Sequence, residues 1–82
     1  MTLPAEQWSK LTENHKWALR ILRDAQPHGV EPKDPRAMKT AMHDLWRFGF
    51  ADRKFQDGIS MRYQITFLGL RAASEVLEGA DQ

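Results

Sequence analysis

The chain has no cysteine, and none of its apolar runs is long enough to cross a membrane. The absence of cysteine excludes disulfides and thiolate metal sites, and it fits a reducing compartment. The first residues show no basic region followed by an apolar run, so no signal peptide is predicted. We therefore expect a cytoplasmic protein with no membrane partner.

Sequence motifs of catalysis are also missing. There is no glycine-rich phosphate loop, no serine nucleophile elbow and no recognisable pair of catalytic carboxylates. The histidines, His15, His28 and His43, do not have the i, i+4 spacing of helical metal ligands. We expect a protein that is not an enzyme and that needs no metal or cofactor.

The net charge of +1 is small, but its distribution along the 82 residues is uneven. The segment 33–63 carries seven basic residues against four acidic ones, whereas 64–82 carries one basic residue against three acidic ones. With 41% hydrophobic residues and this length, the chain is expected to form one globular domain over 1–82. Its excess of positive charge lies in the middle of that domain.

Apolar residues spaced by three and four, beginning at Trp8, predict an N-terminal helix with Trp8 in the core. Two starts remain open. Thr2 could cap one long helix, or Thr12 could cap a second helix after a short first one. The helix should end near Gln26, because Pro27 disfavours helical geometry in the residue before it.

A second helix is predicted after a proline-rich loop that spans 27–35. Asp34 is the expected N-cap with Pro35 in the first turn, and Gly49 is the expected C-terminal residue in a left-handed conformation. The apolar stripe of this helix, expected to be buried, is formed by Ala37, Met38, Ala41, Met42 and Leu45.

From Phe50 the apolar period changes to two, and Asp57-Gly58 indicates a two-residue hairpin turn. That turn would pair residues whose numbers sum to 115: Phe50 with Ile65, Asp52 with Tyr63, Lys54 with Met61, and Arg53 with Arg62. Two arginines directly opposite one another are unfavourable unless an anion lies between them.

Thr66 is the expected cap of a last helix, and residues 79–82 are expected to fray. The predicted apolar positions of this helix are Leu70, Ala73 and Leu77, with Phe67 and Val76 alongside. Trp17 and Trp46 lie beside the stripes of their helices, so one or both should be partly exposed. Such a residue would flank a small core or anchor a dimer.

The order of helix, hairpin and helix resembles winged-helix regulators such as the MarR and PadR repressors. The similarity is carried by Met38, Met42, Leu45 and Gly49, and by Tyr63-x-Ile-Thr66-x2-Gly69. It implies an α+β fold, a compact winged helix with three to four helices and one antiparallel β-hairpin as the wing. These repressors have a short helix before the recognition helix, whereas this chain has the loop from Pro27 to Asp34 in that place.

The resemblance implies a small DNA-binding protein that regulates transcription, with a size that would suit a phage or prophage product. It would bind double-stranded DNA, as a homodimer if each copy contacts one half-site. An alternative is a winged-helix module that binds a protein partner through the same face. The candidate DNA-binding residues are Arg36, Lys39, Thr40, His43 and Arg47 on one helix face and Arg53, Lys54 and Arg62 on the wing.

Overall fold

The structure is a computed structural model that describes residues 3–32, 36–56 and 60–78. A short 3-10 helix, Ala5–Lys10, precedes the first α-helix, and a π-helical turn, Ser74–Glu78, follows the third. Two strands form an antiparallel hairpin between the second and third helices. The bounds are α1 Glu13–Asp24, α2 Arg36–Arg47, β1 Ala51–Gln56, β2 Ser60–Ile65 and α3 Phe67–Ala73.

The start of α1 resolves the choice that the sequence left open, in favour of a cap at Thr12. Its Oγ1 accepts a hydrogen bond from the backbone N–H of His15 at 3.2 Å. In return, Nδ1 of His15 accepts from the backbone N–H of Thr12 at 3.2 Å. Two N–H groups that would otherwise lack helical partners are thereby satisfied. The predicted end near Gln26 is confirmed within two residues, because α1 ends at Asp24.

Helix α2 buries most of the predicted stripe against the core: Met38, Ala41, Met42 and Leu45. Ala37 was also predicted to be buried, and this prediction is wrong because its side chain is exposed. It lies about 100° around the helix from Met38, outside the arc that faces the core. Gly49 ends the helix with φ 87°, as predicted. The predicted start at Asp34 and Pro35 lies outside the described residues.

The register of the hairpin differs by one residue from the prediction. The residue numbers of each pair sum to 116 rather than 115. Ala51 therefore pairs with Ile65, Arg53 with Tyr63 and Lys54 with Arg62. The prediction that Phe50 pairs with Ile65, Asp52 with Tyr63, Lys54 with Met61 and Arg53 with Arg62 is therefore wrong. Gln56 pairs with Ser60, with three residues between them rather than two. The predicted turn at Asp57-Gly58 lies outside the described residues.

Burial explains why the observed register is preferred. Tyr63 and Ala51 are both buried, and the predicted register would have placed them on opposite faces of the hairpin. In the observed register the partner of Tyr63 is Arg53, and buried Ala51 shares their face of the hairpin. A shift by one residue would move every side chain of a strand to the other face, so a buried face specifies the register.

The predicted loop after α1 contains a bridge to the hairpin. The N–H of Val30 donates to the carbonyl of Tyr63, and the N–H of Tyr63 donates to the carbonyl of Val30, both at 2.8 Å. Strand β2 is therefore paired on both sides at Tyr63, with β1 on one side and Val30 on the other. This bridge joins the segment after α1 to the wing.

Helix α3 begins as predicted at Thr66, whose Oγ1 accepts from the N–H of Gly69 at 3.0 Å. The same hydroxyl donates to the carbonyl of Gly49 at 2.7 Å, so it also joins α3 to the end of α2. The prediction that Phe67 packs alongside the stripe is wrong, because Phe67 is 88% exposed. It lies on the face of α3 opposite Gly69, which is buried.

The core lies between the three helices and the inner side of the hairpin, and its largest fully buried side chains are Phe50, Leu19, Leu22, Met42 and Leu45. Trp8 is buried as predicted, and its ring meets that of Phe50 edge-on at 5.9 Å between centroids. Trp17 is exposed and Trp46 is half-buried, which also confirms the prediction. Among the described helices, none combines the length and the apolar character needed to span a membrane.

Candidate nucleic-acid interface

Helix α2 presents a polar face to solvent, directly opposite its buried stripe. All five residues that the sequence assigned to this face are exposed: Arg36, Lys39, Thr40, His43 and Arg47. Because α1 packs against the buried side of α2, the outer faces of these two helices point away from each other. The exposed face of α2 is therefore a surface of basic and hydrogen-bonding side chains on one side of the domain.

One edge of this face continues onto the hairpin through an aromatic contact. The guanidinium carbon of Arg53 lies 3.8 Å from the ring centroid of Trp46, in a cation–π arrangement. The ring of His43 lies 5.4 Å from that of Trp46, so the row runs from the exposed face of α2 to the strand. Stacking uses the flat face of the guanidinium and leaves its N–H donors in the plane.

The opposite edge of the α2 face is occupied by Asp44, the acidic residue of that helix. Its Oδ2 lies 3.0 Å from Nε2 of His15. Since Nδ1 of His15 accepts from the N–H of Thr12, the tautomer that fits both contacts has Nε2 donating to Asp44. The ring of Phe48 meets His15 edge-on at 5.4 Å. The carboxylate is therefore engaged with α1 at the border of the basic face.

The wing arginines lie on different faces of the hairpin, which corrects the prediction that they oppose each other. Arg53 shares the inner face, the face of Tyr63, whereas Arg62 and its partner Lys54 lie on the outer face. Nη1 of Arg62 donates to the carbonyl of Gly29 at 3.5 Å. On the same face, Nε2 of Gln64 donates to the carbonyl of Pro27 at 2.9 Å.

A cleft of about 500 Å³ lies between this outer face and the segment after α1. It is here called the outer cleft. Its lining residues are His28, Lys54, Phe55, Arg62 and Gln64. Of these, sequence reasoning had assigned only Lys54 and Arg62 to a site. His28 and Gln64 enter the cleft through pairing of the hairpin with the segment after α1, a contact for which the local sequence gives no signal.

The short helix that precedes the recognition helix in winged-helix repressors has no counterpart in residues 29–32. There the chain forms the bridge at Val30, and residues 33–35 are outside the described part. Within the described residues, no group of three or more histidine or acidic side chains is arranged to hold a metal ion.

A scan against protein-family models and a search of curated proteins found no match. A search of solved structures found similarity to one described as the complex structure of hsRosR-S1. The TM-score is 0.74, the sequence identity is 17%, and the match covers 90% of this chain and 76% of that chain. At this identity the similarity concerns the fold. Together with the observed order of helices and hairpin, it shows that the chain has an α+β winged-helix fold.

Proposed function

We propose that this protein is a small DNA-binding regulator that contacts duplex DNA with the exposed face of α2 and with its wing. The observation that carries the proposal is the continuous row from His43 through Trp46 to Arg53. It joins the basic helix face and the hairpin into one surface. The proposed role is binding rather than catalysis.

The residues of α2 are proposed to contact base edges and phosphates. Thr40 and His43 are exposed near the middle of the face, and their short polar side chains suit hydrogen bonds to bases. Arg36, Lys39 and Arg47 surround them and supply charge for phosphates or guanine. Arg53 would contact the backbone beside α2, with its guanidinium held in place by Trp46.

The experiment is a fluorescence anisotropy titration with a pool of random duplexes, followed by selection of preferred sequences. Four or five phosphate contacts predict a slope of roughly −4 for log affinity against log salt, because each contact contributes about −0.9. Lys39→Ala or His43→Ala should reduce the preference for the selected sequence, by about 1–3 kcal/mol per lost base contact. The matched control is Arg20→Ala, an exposed arginine on the outer face of α1.

A protein partner is the second candidate function. It is favoured by the segment 29–32, which has no helix where winged-helix repressors have one that crosses the DNA backbone. If the wild-type protein does not bind random or genomic duplex even at low salt, the DNA proposal is wrong. The basic face would then belong to a protein partner.

We also propose that the regulator acts as a homodimer, because one winged-helix module contacts only a half-site. Trp17, which is 41% exposed on α1, is a candidate anchor for the contact between copies. Sedimentation equilibrium at high micromolar concentration would test this. A monomer throughout that range would contradict it.

A further inference from the structure

One edge of the hairpin has no neighbouring strand among the described residues. Strand β2 pairs with β1 on one side and with Val30 on the other, whereas β1 pairs with β2 alone. The pairing of β1 runs without a bulge from Ala51 to Gln56, and the strand contains no proline. Bulges and prolines are two devices by which proteins make an edge strand unfit for further pairing. Strand β1 has neither of them.

The bridge at Val30 determines which backbone groups of β1 point to this edge. Both backbone groups of Tyr63 are bonded to Val30, so they point away from β1. Tyr63 is the partner of Arg53, and in an antiparallel pair that exchanges no bonds the groups of both residues point outward. The N–H and C=O of Arg53 therefore point away from β2. Because successive residues alternate, those of Phe55 do the same, and those of Lys54 face β2.

The outward groups of Arg53 and Phe55 have no hydrogen-bond partner within the described residues. Phe55 is 66% exposed, so this end of the strand is open to solvent, whereas Ala51 is buried. The stretch from Arg53 to Phe55, here called the open edge, is therefore the part of β1 that can accept another strand. Main-chain bonds to such an edge give affinity, and side chains at alternate positions give specificity.

The side chains of the open edge indicate what kind of strand fits. On the inner face the guanidinium of Arg53 lies 6.0 Å from the ring of Phe55, and on the outer face Lys54 is exposed. An added strand would have one residue opposite Lys54, in a pair that exchanges no bonds and whose side chains are therefore close. A carboxylate is favoured at that position, and a second cation is unfavourable.

A second copy of this chain does not meet that requirement. Antiparallel pairing about a two-fold axis that uses both open residues joins Arg53 of one copy to Phe55 of the other. The axis then passes between the two copies of Lys54, and like charges directly opposite each other are destabilising. Lysine on an edge strand is one of the features that prevent pairing between copies. The same ammonium group attracts a strand that carries an acid.

We propose that the open edge binds an extended peptide of a partner protein as an added strand, with an acidic residue opposite Lys54 and apolar residues opposite Arg53 and Phe55. The peptide backbone bonds to the outward groups of Arg53 and Phe55. This contact concerns the edge of the wing rather than the exposed face of α2, and it does not depend on the proposed DNA binding.

The first test measures amide hydrogen exchange in the protein alone. The N–H of Lys54 is bonded within the hairpin and should exchange slowly, whereas those of Arg53 and Phe55 should exchange almost as fast as in an unstructured peptide. Equal protection of all three amides would show that the edge is closed and would overturn the proposal. Protection of Arg53 and Phe55 that appears only at high protein concentration would make a second copy the occupant, which also overturns it.

The second test adds a capped synthetic peptide in which valine and threonine alternate, with a central glutamate in place of one threonine. At about ten times its Kd, roughly one protein molecule in ten is unbound, so the amides of Arg53 and Phe55 should exchange about tenfold more slowly. A matched peptide with a central lysine should bind about fivefold more weakly, the order that a cross-strand charge pair contributes. Lys54→Glu should reverse this preference, and Arg20→Gln, on the outer face of α1, should not change it.

Methylated peptides test the backbone bonds apart from the side chains. The residue opposite Lys54 points its own N–H away from β1, and the two residues beside it point theirs toward the open edge. Methylation of those two nitrogens should abolish binding, whereas methylation of the glutamate nitrogen should leave the affinity nearly unchanged. Equal binding of the two methylated peptides would show a contact through side chains alone and would overturn the proposal.

These measurements contain no DNA, so their failure is distinguishable from failure of the proposed function. If none of the peptides slows exchange at Arg53 and Phe55, the open edge is not a peptide site and the DNA proposal for α2 is unaffected. If the glutamate peptide binds and the wild type does not bind duplex, the inference stands and the DNA proposal falls.

Discussion

Arg53 and Arg62 are the same residue type on the same hairpin, but their surroundings differ. Arg53 lies on the inner face opposite buried Tyr63, with its guanidinium stacked 3.8 Å above Trp46. Arg62 lies on the outer face opposite Lys54 and reaches the Gly29 carbonyl at 3.5 Å. One arginine therefore joins the wing to α2, and the other joins it to the segment after α1.

The difference arises from the register of the hairpin, which places Arg53 and Arg62 on opposite faces. If the pairing moved by one residue, the two arginines would be opposite each other and neither environment would exist. We infer that Arg53, through its contact with Trp46, contributes more to the stability of the fold than Arg62 does. The predictions below test this difference.

The largest effect on stability is expected from Gly69→Ala, which disturbs the packing of α3 against Phe50 and Ile65. A Cβ at Gly69 would clash with the carbonyl oxygen of Phe50 and would lie 2.7 Å from Cγ1 of Ile65. Backbone cannot yield as a flexible side chain can, so α3 would have to move away from the hairpin. We expect a loss of about 3 kcal/mol in the free energy of unfolding, measured by urea denaturation.

The control for this change is Arg71→Ala, an exposed position on the same helix. It should alter the free energy of unfolding by no more than about 0.5 kcal/mol. If Gly69→Ala unfolds at the same urea concentration as the wild type, α3 does not pack this closely against Phe50.

A smaller loss of stability, about 1 kcal/mol, is expected from Arg53→Ala. The variant loses the cation–π contact with Trp46 and the packing of its aliphatic stem. A double-mutant cycle with Trp46→Leu should give a coupling energy of about 0.5–1 kcal/mol. Additive effects of the two substitutions would argue against a contact between these side chains in solution.

The smallest effect on stability is expected from Arg62→Ala, within about 0.5 kcal/mol of the wild type. Its contact with the Gly29 carbonyl is long, and the side chain is only partly buried. The measurement is the same urea titration, run beside Arg53→Ala. If Arg62→Ala is as destabilising as Arg53→Ala, the inferred difference between the two arginines is wrong.

The features that the sequence predicted best depend on neighbouring residues. Thr66 caps α3 and Gly49 ends α2 in a left-handed conformation, and Thr12, one of the two starts that the sequence left open, caps α1. Each role depends on the backbone within about one turn. The exposed face of α2 was also predicted correctly, since helical spacing determines which side chains share a face. Whether these residues bind DNA stays a prediction.

The features that the sequence missed depend on contacts between distant segments. Asp57-Gly58 favoured a two-residue turn, but burial of Tyr63 decided the pairing, and its other partner, Val30, is 33 positions away. The stacking of Arg53 on Trp46 and the outer cleft both follow from that pairing. Local alternation did not decide it, because Phe50 favours one register, whereas Ala51 and Phe55 favour the register shifted by one residue.

The bridge at Val30 has a consequence for the entropy of association. A hairpin held only at its two ends would lose freedom when it met a ligand, and binding would be weaker by that cost. Here the wing is also held along β2, by the backbone pair at Tyr63 and by the side chains of Arg62 and Gln64. A ligand at the wing therefore meets a preorganised surface, and most of the ordering has already taken place when the protein folds.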